Sequence, residues 1–226
     1  MSLFRSWRAY ATLAAAVGIV PAAVTRDEVM SRMDAAGAKF RDMSAQVKQV
    51  SYTPVIKDTS EQSGTVQMMK VAPGEIKGLV EFTNPDHKYY LFEKRTLKTY
   101  TPNIDTVQII DLGQHGEELD QFLSIGFGTT GKELAKSYKV EVASDNTVAG
   151  TTLVRLTPLS ADVKKYLTHI DLWLSDQSYP VQEKLWEPSG DTVTVYYTDV
   201  RINRPIPAGS FRLPVKPTTK TEYPQK

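Results

Sequence analysis

The sequence predicts an α+β fold built around an antiparallel sheet. Hydrophobic and polar residues alternate through a series of short runs, and the longest series extends from Gly64 to Pro102. Such period-two patterns, separated by Pro, Gly, Asn and Asp, are typical of an antiparallel meander. Helical patterns are few and do not alternate with the strands, so parallel βαβ units are not expected. The patterns predict about ten strands and three or four short helices.

Two capping boxes mark helix starts. Thr25 precedes Glu28 by three residues, and Thr130 precedes Glu133 in the same way. In this motif the hydroxyl and the carboxylate each bond a backbone amide that the helix itself leaves free. We therefore predict a helix after Thr25 and a short helix after Thr130, and the apolar spacing predicts a third over residues 117–125.

The beginning of the chain resembles a cleavable export signal. Residues 1–8 are basic, residues 9–20 form a run of small and apolar residues, and Ala22 offers a small side chain to a signal peptidase. The run is too short for a hydrocarbon core, which needs about 20 residues. We predict a signal peptide over residues 1–22, cleavage near Ala22 or Ala23 and a periplasmic mature protein.

Composition limits the function further. The chain has 226 residues, 41% of them hydrophobic, which is enough for one domain with a true core. Two of its 27 basic residues lie in the predicted signal, which leaves 25 basic against 26 acidic residues. This balance argues against a nucleic-acid partner. The absence of cysteine excludes disulfides, thiolate metal sites and a cysteine nucleophile.

No catalytic motif stands out. His87, His115 and His169 lie in separate segments without metal-ligand spacing. Residues 126–132, GFGTTGK, resemble a phosphate-binding loop, but a helix rather than a strand is predicted before them, and Glu133 follows where such a loop needs Ser or Thr. We therefore expect a connecting loop there, no catalytic residue, no metal and no cofactor.

The meander has one apolar face. Val66, Met68 and Lys70 share a side of the first run, and Val80 and Phe82 share a side of the second, because strand side chains alternate. An ordinary core explains such a face, and so does a cavity for an apolar ligand, which a strongly curved sheet would leave open. Lys70 is a cation at the end of this apolar row.

The order and spacing of short motifs resemble the LolA-like family, the periplasmic carriers that take lipoproteins to the outer membrane. The similar segments extend from about Thr25 to Pro214: residues 40–45 with Gln49, 64–70, 82–85, 89–93, Leu97 with 100–102, 156–158, 170–174, 190–192, Asn203, Ile206 and 211–214.

The resemblance implies a fold, a function and partners. The fold is an incomplete β-barrel made by a strongly curved antiparallel sheet, which short helices cover as a lid over an apolar cavity. The function is a periplasmic carrier, not an enzyme, that shields the acyl chains of lipoproteins. Its partners would be acylated lipoproteins, an inner-membrane ABC-type transporter that releases them and an outer-membrane receptor. We expect a monomer with a single carrier domain over residues 23–214 and a polar, mobile tail over residues 215–226.

The sequence departs from the family at two positions. The family has an Arg where this chain has Lys70, and that Arg couples closure of the lid to an empty cavity. A Lys forms a looser latch because it is a point donor and not a planar fork. An Asp-Gly turn of the family is replaced by Glu93-Lys94, which lacks a residue suited to positive φ, so a longer hairpin is expected.

These considerations give a site hypothesis. The cavity is expected to be lined by eight residues: Val66, Met68, Val80, Phe82, Tyr90, Phe92, Leu172 and Leu174. Phe40, Phe122 and Leu123 would form the lid, with Lys70 as its latch. For each lining residue a place in the packed core is an equal alternative. For the whole chain, an envelope sensor or interaction module with the same fold remains an alternative to a carrier.

Overall fold

The structure is a computed structural model that describes residues 24–72, 75–112, 125–143 and 147–224. It confirms the α+β class and places twelve strands in one sheet. The strands are β1 Asp42–Thr53, β2 Asp58–Ala72, β3 Glu75–Asn84, β4 Lys88–Glu93, β5 Thr96–Thr101, β6 Thr106–Asp111, β7 Tyr138–Ala143, β8 Thr152–Pro158, β9 His169–Leu174, β10 Pro180–Trp186, β11 Thr192–Ile202 and β12 Lys220–Glu222. The helices are α1 Arg26–Lys39 and α2 Gly131–Ser137.

The sheet is an open barrel. Its strand order is β12-β6-β5-β4-β3-β2-β1-β11-β10-β9-β8-β7, and all neighbours are antiparallel except β12 and β6. The β1–β11 pair joins the meander β1–β6 to the second meander β7–β11. Within the described ranges β7 and β12 each pair on one side only, so the barrel is incomplete, as the sequence predicts.

Both predicted capping boxes are present. The Thr25 hydroxyl accepts a bond from the Glu28 amide at 3.3 Å, and the Thr130 hydroxyl accepts one from the Glu133 amide at 3.2 Å. The Glu133 carboxylate in turn accepts from the Thr130 amide at 2.7 Å. The predicted helix over residues 117–125 lies outside the described residues except for Ile125.

The two helices pack closely on each other at one end of the sheet. A Cβ added to Gly131 would come within 2.8 Å of the Met30 carbonyl oxygen, so only glycine permits this approach. The Lys132 amide also donates to the Asp34 carboxylate at 3.0 Å. No helix in the described part of the chain is long and apolar enough to cross a membrane.

The core consists of two clusters. The helix cluster joins α1 and α2 to β7–β9 and contains Val29, Met33, Ile125, Leu134, Tyr138, Val140, Val154, Leu156, Leu167, Ile170, Leu172 and Leu174. The meander cluster lies on β1–β3 and contains Phe40, Met43, Ala45, Val47, Val66, Met68, Ile76, Phe82 and Phe127. We call the face of the sheet that carries both clusters the inner face.

Two local expectations differ from the structure. Part of the expected polar tail forms β12, because Lys220 donates its amide to the Asp105 carbonyl and Thr219 donates its hydroxyl to the Asp105 carboxylate. The β4–β5 hairpin is also short and not long. Lys94 and Arg95 form a two-residue turn with φ of 50° and 58°, so two non-glycine residues occupy the left-handed region.

Candidate functional site

The meander places five of the predicted lining residues on one wall. Val66 on β2 is opposite Val80 on β3, which is opposite Tyr90 on β4. Met68 and Phe82 lie two positions away on the same face and belong to the meander cluster, against which Val80 and Tyr90 pack. Phe82 and Tyr90 meet edge to face with ring centroids 6.0 Å apart.

A bulge shapes this wall. The β2–β3 register shifts between Ser63 and Gly64, and a Cβ at Gly64 would lie 1.8 Å from the Glu81 carbonyl oxygen. Only a glycine allows the two backbones to approach in this way. Bulges increase the local twist of a strand, so Gly64 contributes to the curvature of the wall next to Phe82.

The eight predicted lining residues differ in the solvent exposure of their side chains. Val66, Met68 and Phe82 are buried, whereas Val80 and Tyr90 are half-buried on the same inner face. Accessible surface on an inward-facing row indicates space that the core does not fill. Val80 and Tyr90 are therefore the two residues of this wall that neighbouring side chains cover least.

The other three predicted lining residues lie outside the meander cluster. Leu172 and Leu174 are 0% and 3% exposed and belong to the helix cluster, where α1 and α2 cover them. Phe92 shares the inner face with Gly78 and is 3% exposed, but it belongs to neither cluster. The structure therefore does not bring all eight residues to one wall.

Of the predicted lid, Phe40 is described and Phe122 and Leu123 lie outside the described residues. Phe40 is the C-cap residue of α1 and is buried in the meander cluster. The position of Gly128 depends on this ring, because a Cβ at Gly128 would lie 2.5 Å from Phe40 Cδ1. Phe40 thus fixes the turn that precedes α2.

Phe127 is an inner-face residue that sequence reasoning missed. It is 1% exposed, meets Tyr197 edge to face at 5.1 Å and stacks with Tyr179 at 6.5 Å. Its signal in the sequence is an aromatic residue between Gly126 and Gly128, both of which adopt positive φ. The phosphate-loop-like segment therefore serves to bury an aromatic side chain against the sheet.

A small crevice of about 30 Å³ lies where α1, this turn and the β9–β10 turn meet. It is lined by Met33, Ala36, Gly37, Phe40, Gly126, Phe127, Gly128, Thr129, Gln177, Ser178, Tyr179 and Ile202. The crevice borders the meander cluster through Phe40 and Phe127. It is a space at the helix end of the inner face.

Lys70 lies at the end of the apolar row, as the sequence indicates. It is half-buried on β2, its neighbour across the sheet is Ile76, and its amide donates to the Arg41 carbonyl at 2.7 Å. Within the described ranges no ion pair forms at its ammonium group. The latch that the resemblance implies remains a prediction.

A polar pair on the inner face was also missed. Glu183 on β10 is opposite Val195 on β11 and Leu172 on β9, and Tyr197 on β11 is its diagonal neighbour on the same face. Val195 packs against the meander cluster and Leu172 belongs to the helix cluster. Glu183 therefore lies at the border between the two apolar clusters.

Burial perturbs both members of this pair. Desolvation raises the pKa of Glu183 to about 8, and the hydrogen bond from Tyr197 opposes the increase. Desolvation first, and then the nearby carboxyl, raise the pKa of Tyr197 well above its usual value. Glu183 nevertheless keeps some accessible surface. At neutral pH the carboxyl is mainly uncharged.

A second polar network lies on the outer face of β8, β9 and β10. Asp171 accepts bonds from Arg155 Nε and Nη2 at 2.7 and 2.9 Å and from Trp186 Nε1 at 3.2 Å. His169 stacks on Trp186 at 5.4 Å, and Lys184 Nζ lies 4.1 Å from the Trp186 ring centre. These residues alternate with the inner-face positions, so the network points away from Glu183. Its bonds satisfy a buried carboxylate.

In the described ranges no group of three His, Asp or Glu side chains could hold a metal ion. The expectation of no metal and no cofactor stays a prediction, since it concerns the whole chain. What the described residues bring together is an apolar wall, a buried aromatic turn and one hydrogen-bonded carboxyl. This arrangement is suited to holding an apolar ligand.

The fold and this inner face define an open antiparallel barrel with an apolar interior. A family model described as outer membrane lipoprotein carrier protein LolA matches residues 38–214. This match covers more than half of the chain, so the protein belongs to the LolA family, in agreement with the resemblance of its motifs. The comparison with curated proteins finds no match.

Three solved structures are similar to this chain at low identity. An uncharacterized conserved protein from Thermus thermophilus is similar with a TM-score of 0.51 at 8% identity, over 87% of this chain and 98% of that chain. A LolA superfamily protein from Nitrosomonas europaea has a TM-score of 0.41 at 13% identity, over 84% and 99% of the two chains. The lipoprotein LppX from Mycobacterium tuberculosis has a TM-score of 0.47 at 12% identity, over 81% and 99%. The similarity to the Thermus thermophilus protein concerns the fold alone, and we base no argument on the two structures with lower TM-scores.

Proposed function

We propose that this protein is a periplasmic carrier that shields the acyl chains of lipoproteins on their way from the inner to the outer membrane. The observation that carries the proposal is the inner wall of the meander, where Val80 and Tyr90 keep accessible surface beside buried Val66, Met68 and Phe82. A fully packed core would leave no such surface on inward-facing residues. Membership of the LolA family supports the same function.

The energetics explain the need for such a wall. Burial of one methylene is worth about 0.8 kcal/mol, so a chain of about 16 carbons costs roughly 12 kcal/mol to hold in water. A lipoprotein with two or three chains would not cross an aqueous compartment at an appreciable rate. A soluble apolar cavity removes this barrier, and Met68 gives the wall a side chain that adapts to a disordered ligand.

In this proposal the inner wall and the lid have separate roles. Val66, Met68, Val80, Phe82 and Tyr90 bind the chains, Phe92 extends the same face, and Leu172 and Leu174 continue the apolar surface in the helix cluster. Phe40, Phe122 and Leu123 act as the lid, and Phe127 joins them because it covers the meander cluster. Lys70 would act as a loose latch for this lid.

The cellular context follows from the sequence prediction. A signal peptide over residues 1–22 directs export, and residues 23–214 form the single carrier domain. An inner-membrane ABC-type transporter loads the acylated lipoprotein, and an outer-membrane receptor removes it. Because a strongly bound chain leaves slowly, both steps need a partner that supplies free energy or higher affinity. The protein acts as a monomer and not as an enzyme.

The experiment that tests the carrier measures bound acyl species and transfer. Mass spectrometry of protein purified gently from envelope extracts should find acylated molecules, and the protein should release lipoprotein from spheroplasts. Bound lipid without release would favour a sensor or interaction module. Absence of both would refute the proposal.

A matched pair of variants locates the binding face. Val80→Gln places an amide on the inner wall, whereas Val50→Gln places one at a half-buried position on the outer face of β1. Burying an unpaired amide costs about 1–3 kcal/mol, so Val80→Gln should weaken binding of a fluorescent acyl probe by roughly tenfold or more. Val50→Gln should leave binding unchanged. Equal effects of the two variants would place the ligand elsewhere.

A further inference from the structure

We infer that a rim of turns around the end of the β1–β2 hairpin lies against a phospholipid bilayer surface, into which Val55 and Ile56 insert. These two side chains form the end of the hairpin, and they are 84% and 70% exposed. The inference goes beyond the proposed function, which concerns the inner wall and protein partners, and it depends on residues outside that wall.

Three neighbouring connections form this rim: residues 54–57 between β1 and β2, residues 187–191 between β10 and β11, and residues 159–168 between β8 and β9. The Thr168 amide donates to the Trp186 carbonyl at 2.7 Å, which joins the last two connections. A Cβ at Gly190 would lie 3.3 Å from Pro54 Cγ, so the first two connections are also close together. The strands that these turns join are neighbours in the sheet, and the turns therefore lie side by side at one end of the strands.

The hairpin turn holds its apolar side chains outward. The Lys57 amide donates to the Pro54 carbonyl at 3.2 Å and Lys57 has φ of 52°, so residues 54–57 form a tight turn with Val55 and Ile56 in the middle. Such positions usually carry Gly, Asn, Asp or Ser. Pro54 also lacks an amide hydrogen, so this turn carries fewer polar backbone groups into an apolar phase than most turns do.

The size of the apolar patch favours lipid over a protein partner. Besides Val55 and Ile56, the rim exposes Leu159 and Tyr166, at 53% and 77%. A stable protein interface buries about 800 Å² on each partner. A few side chains that project from separate turns do not supply this area, but their insertion is sufficient for weak, reversible attachment to a bilayer. An aromatic residue beside aliphatic ones is also typical of the membrane interface.

The charges of the rim favour apolar insertion over attraction to anionic headgroups. The three connections carry six charged residues, which cancel: Lys57, Lys164, Lys165, Asp162, Glu187 and Asp191. Lys165 and Asp162 also pair with each other at 2.7 Å. Attraction to anionic lipids needs an excess of Lys or Arg. We therefore expect the attachment to depend on burial of the apolar side chains.

The test measures sedimentation of the protein, purified from envelope extracts, with phosphatidylcholine vesicles. Ile56→Asp should lower the partition coefficient by about tenfold, because a charged group does not enter the bilayer. Aspartate suits a turn, so the variant should fold. Ile104→Asp is the matched control and should leave binding unchanged. Ile104 is 68% exposed in a turn that also begins with proline, and β3 and β4 separate this turn from the β1–β2 hairpin.

A fluorescent label gives a second measurement. The chain contains no cysteine, so Ile56→Cys and Ile104→Cys each provide a single labelling site. The emission of an environment-sensitive dye should move to shorter wavelength at position 56 when vesicles are added, and it should not move at position 104. Equal vesicle binding by the wild type and Ile56→Asp, or an equal loss in Ile104→Asp, would overturn the inference.

Salt and lipid composition separate apolar insertion from electrostatic attachment. Binding should be similar in about 0.05 M and about 0.5 M salt and should not need anionic lipid, because the charges of the rim cancel. Binding only to anionic vesicles, lost at high salt, would refute insertion of the rim. No binding of the wild type to any vesicle would refute it as well. The carrier would stand in both cases, since Val80→Gln tests acyl binding at the inner wall separately.

Discussion

Replacement of Glu183 by Gln should change the pH dependence of stability. The pKa of this carboxyl is 4.5 in an unperturbed chain and about 8 in the fold, because burial penalises the charge. The folded chain then binds more protons than the unfolded chain between these values. The contribution of Glu183 to stability is therefore fully present below about pH 4.5 and is lost as the pH rises through about 8. Gln cannot ionise, so the variant does not suffer this loss.

The magnitude follows from the two pKa values. At about 1.36 kcal/mol for each tenfold difference in proton affinity, the loss between about pH 5 and about pH 8 is at most roughly 3–4 kcal/mol. Glu183 keeps part of its surface accessible, so solvent screening reduces the expected loss to about 2–3 kcal/mol. From about pH 5 to about pH 8 the free energy of unfolding should fall less for Glu183→Gln than for the wild type, and the difference should equal this loss.

Urea unfolding at about pH 5 and about pH 8 measures this difference for both proteins. Other titrating groups contribute equally to both proteins, so their contributions cancel in the comparison. Tyr197 is the titratable neighbour of Glu183 on the inner face, and the charged neighbours Asp171 and Lys184 lie on the outer face. Tyr197→Phe provides a second variant. The Tyr197 hydroxyl lowers the pKa of Glu183, so removal of this hydroxyl should extend the loss of stability to higher pH. The same pH dependence in wild type and Glu183→Gln would refute the argument and show that Glu183 is solvated.

Two further predictions concern backbone positions. Gly128→Ala should lower the free energy of unfolding by more than Gly150→Ala does. Both glycines have positive φ, so alanine costs about 1 kcal/mol or more at either position. A Cβ at Gly128 would also meet the Phe40 ring at 2.5 Å, whereas a Cβ at Gly150 would meet nothing within 4 Å. Equal losses in denaturant unfolding would show that the ring moves aside freely. Lys94→Gly should stabilise the fold by about 0.5–1 kcal/mol because φ is 50° at this position. Lys94→Ala keeps a Cβ and should not stabilise the fold. A gain in stability with alanine would show that the lysine side chain, and not the backbone conformation, is unfavourable.

Local signals in the sequence were sufficient for the elements. Period-two patterns define the strands of the meander, and two capping boxes define the starts of α1 and α2, because alternation and capping depend on residues a few positions apart. The shared side of Val66, Val80 and Tyr90 follows from the same alternation once neighbouring strands pair. The short β12 and the Lys94-Arg95 turn were not predicted. Their conformations depend on partners such as Asp105 or on a left-handed backbone that these residue types rarely adopt.

What the sequence determined by itself was thus the α+β class, the apolar face of the meander and the family to which the motifs belong. Only the tertiary structure decided which apolar residues have space in front of them. Val80 keeps accessible surface, whereas Leu172, equally apolar and equally inward, is covered by the helices. It also decided that Glu183 and Tyr197 form a pair, because β10 and β11 had to be placed side by side before their facing side chains could meet. Distant contacts of this kind leave no periodic trace in the chain, since each partner alone resembles an ordinary strand residue.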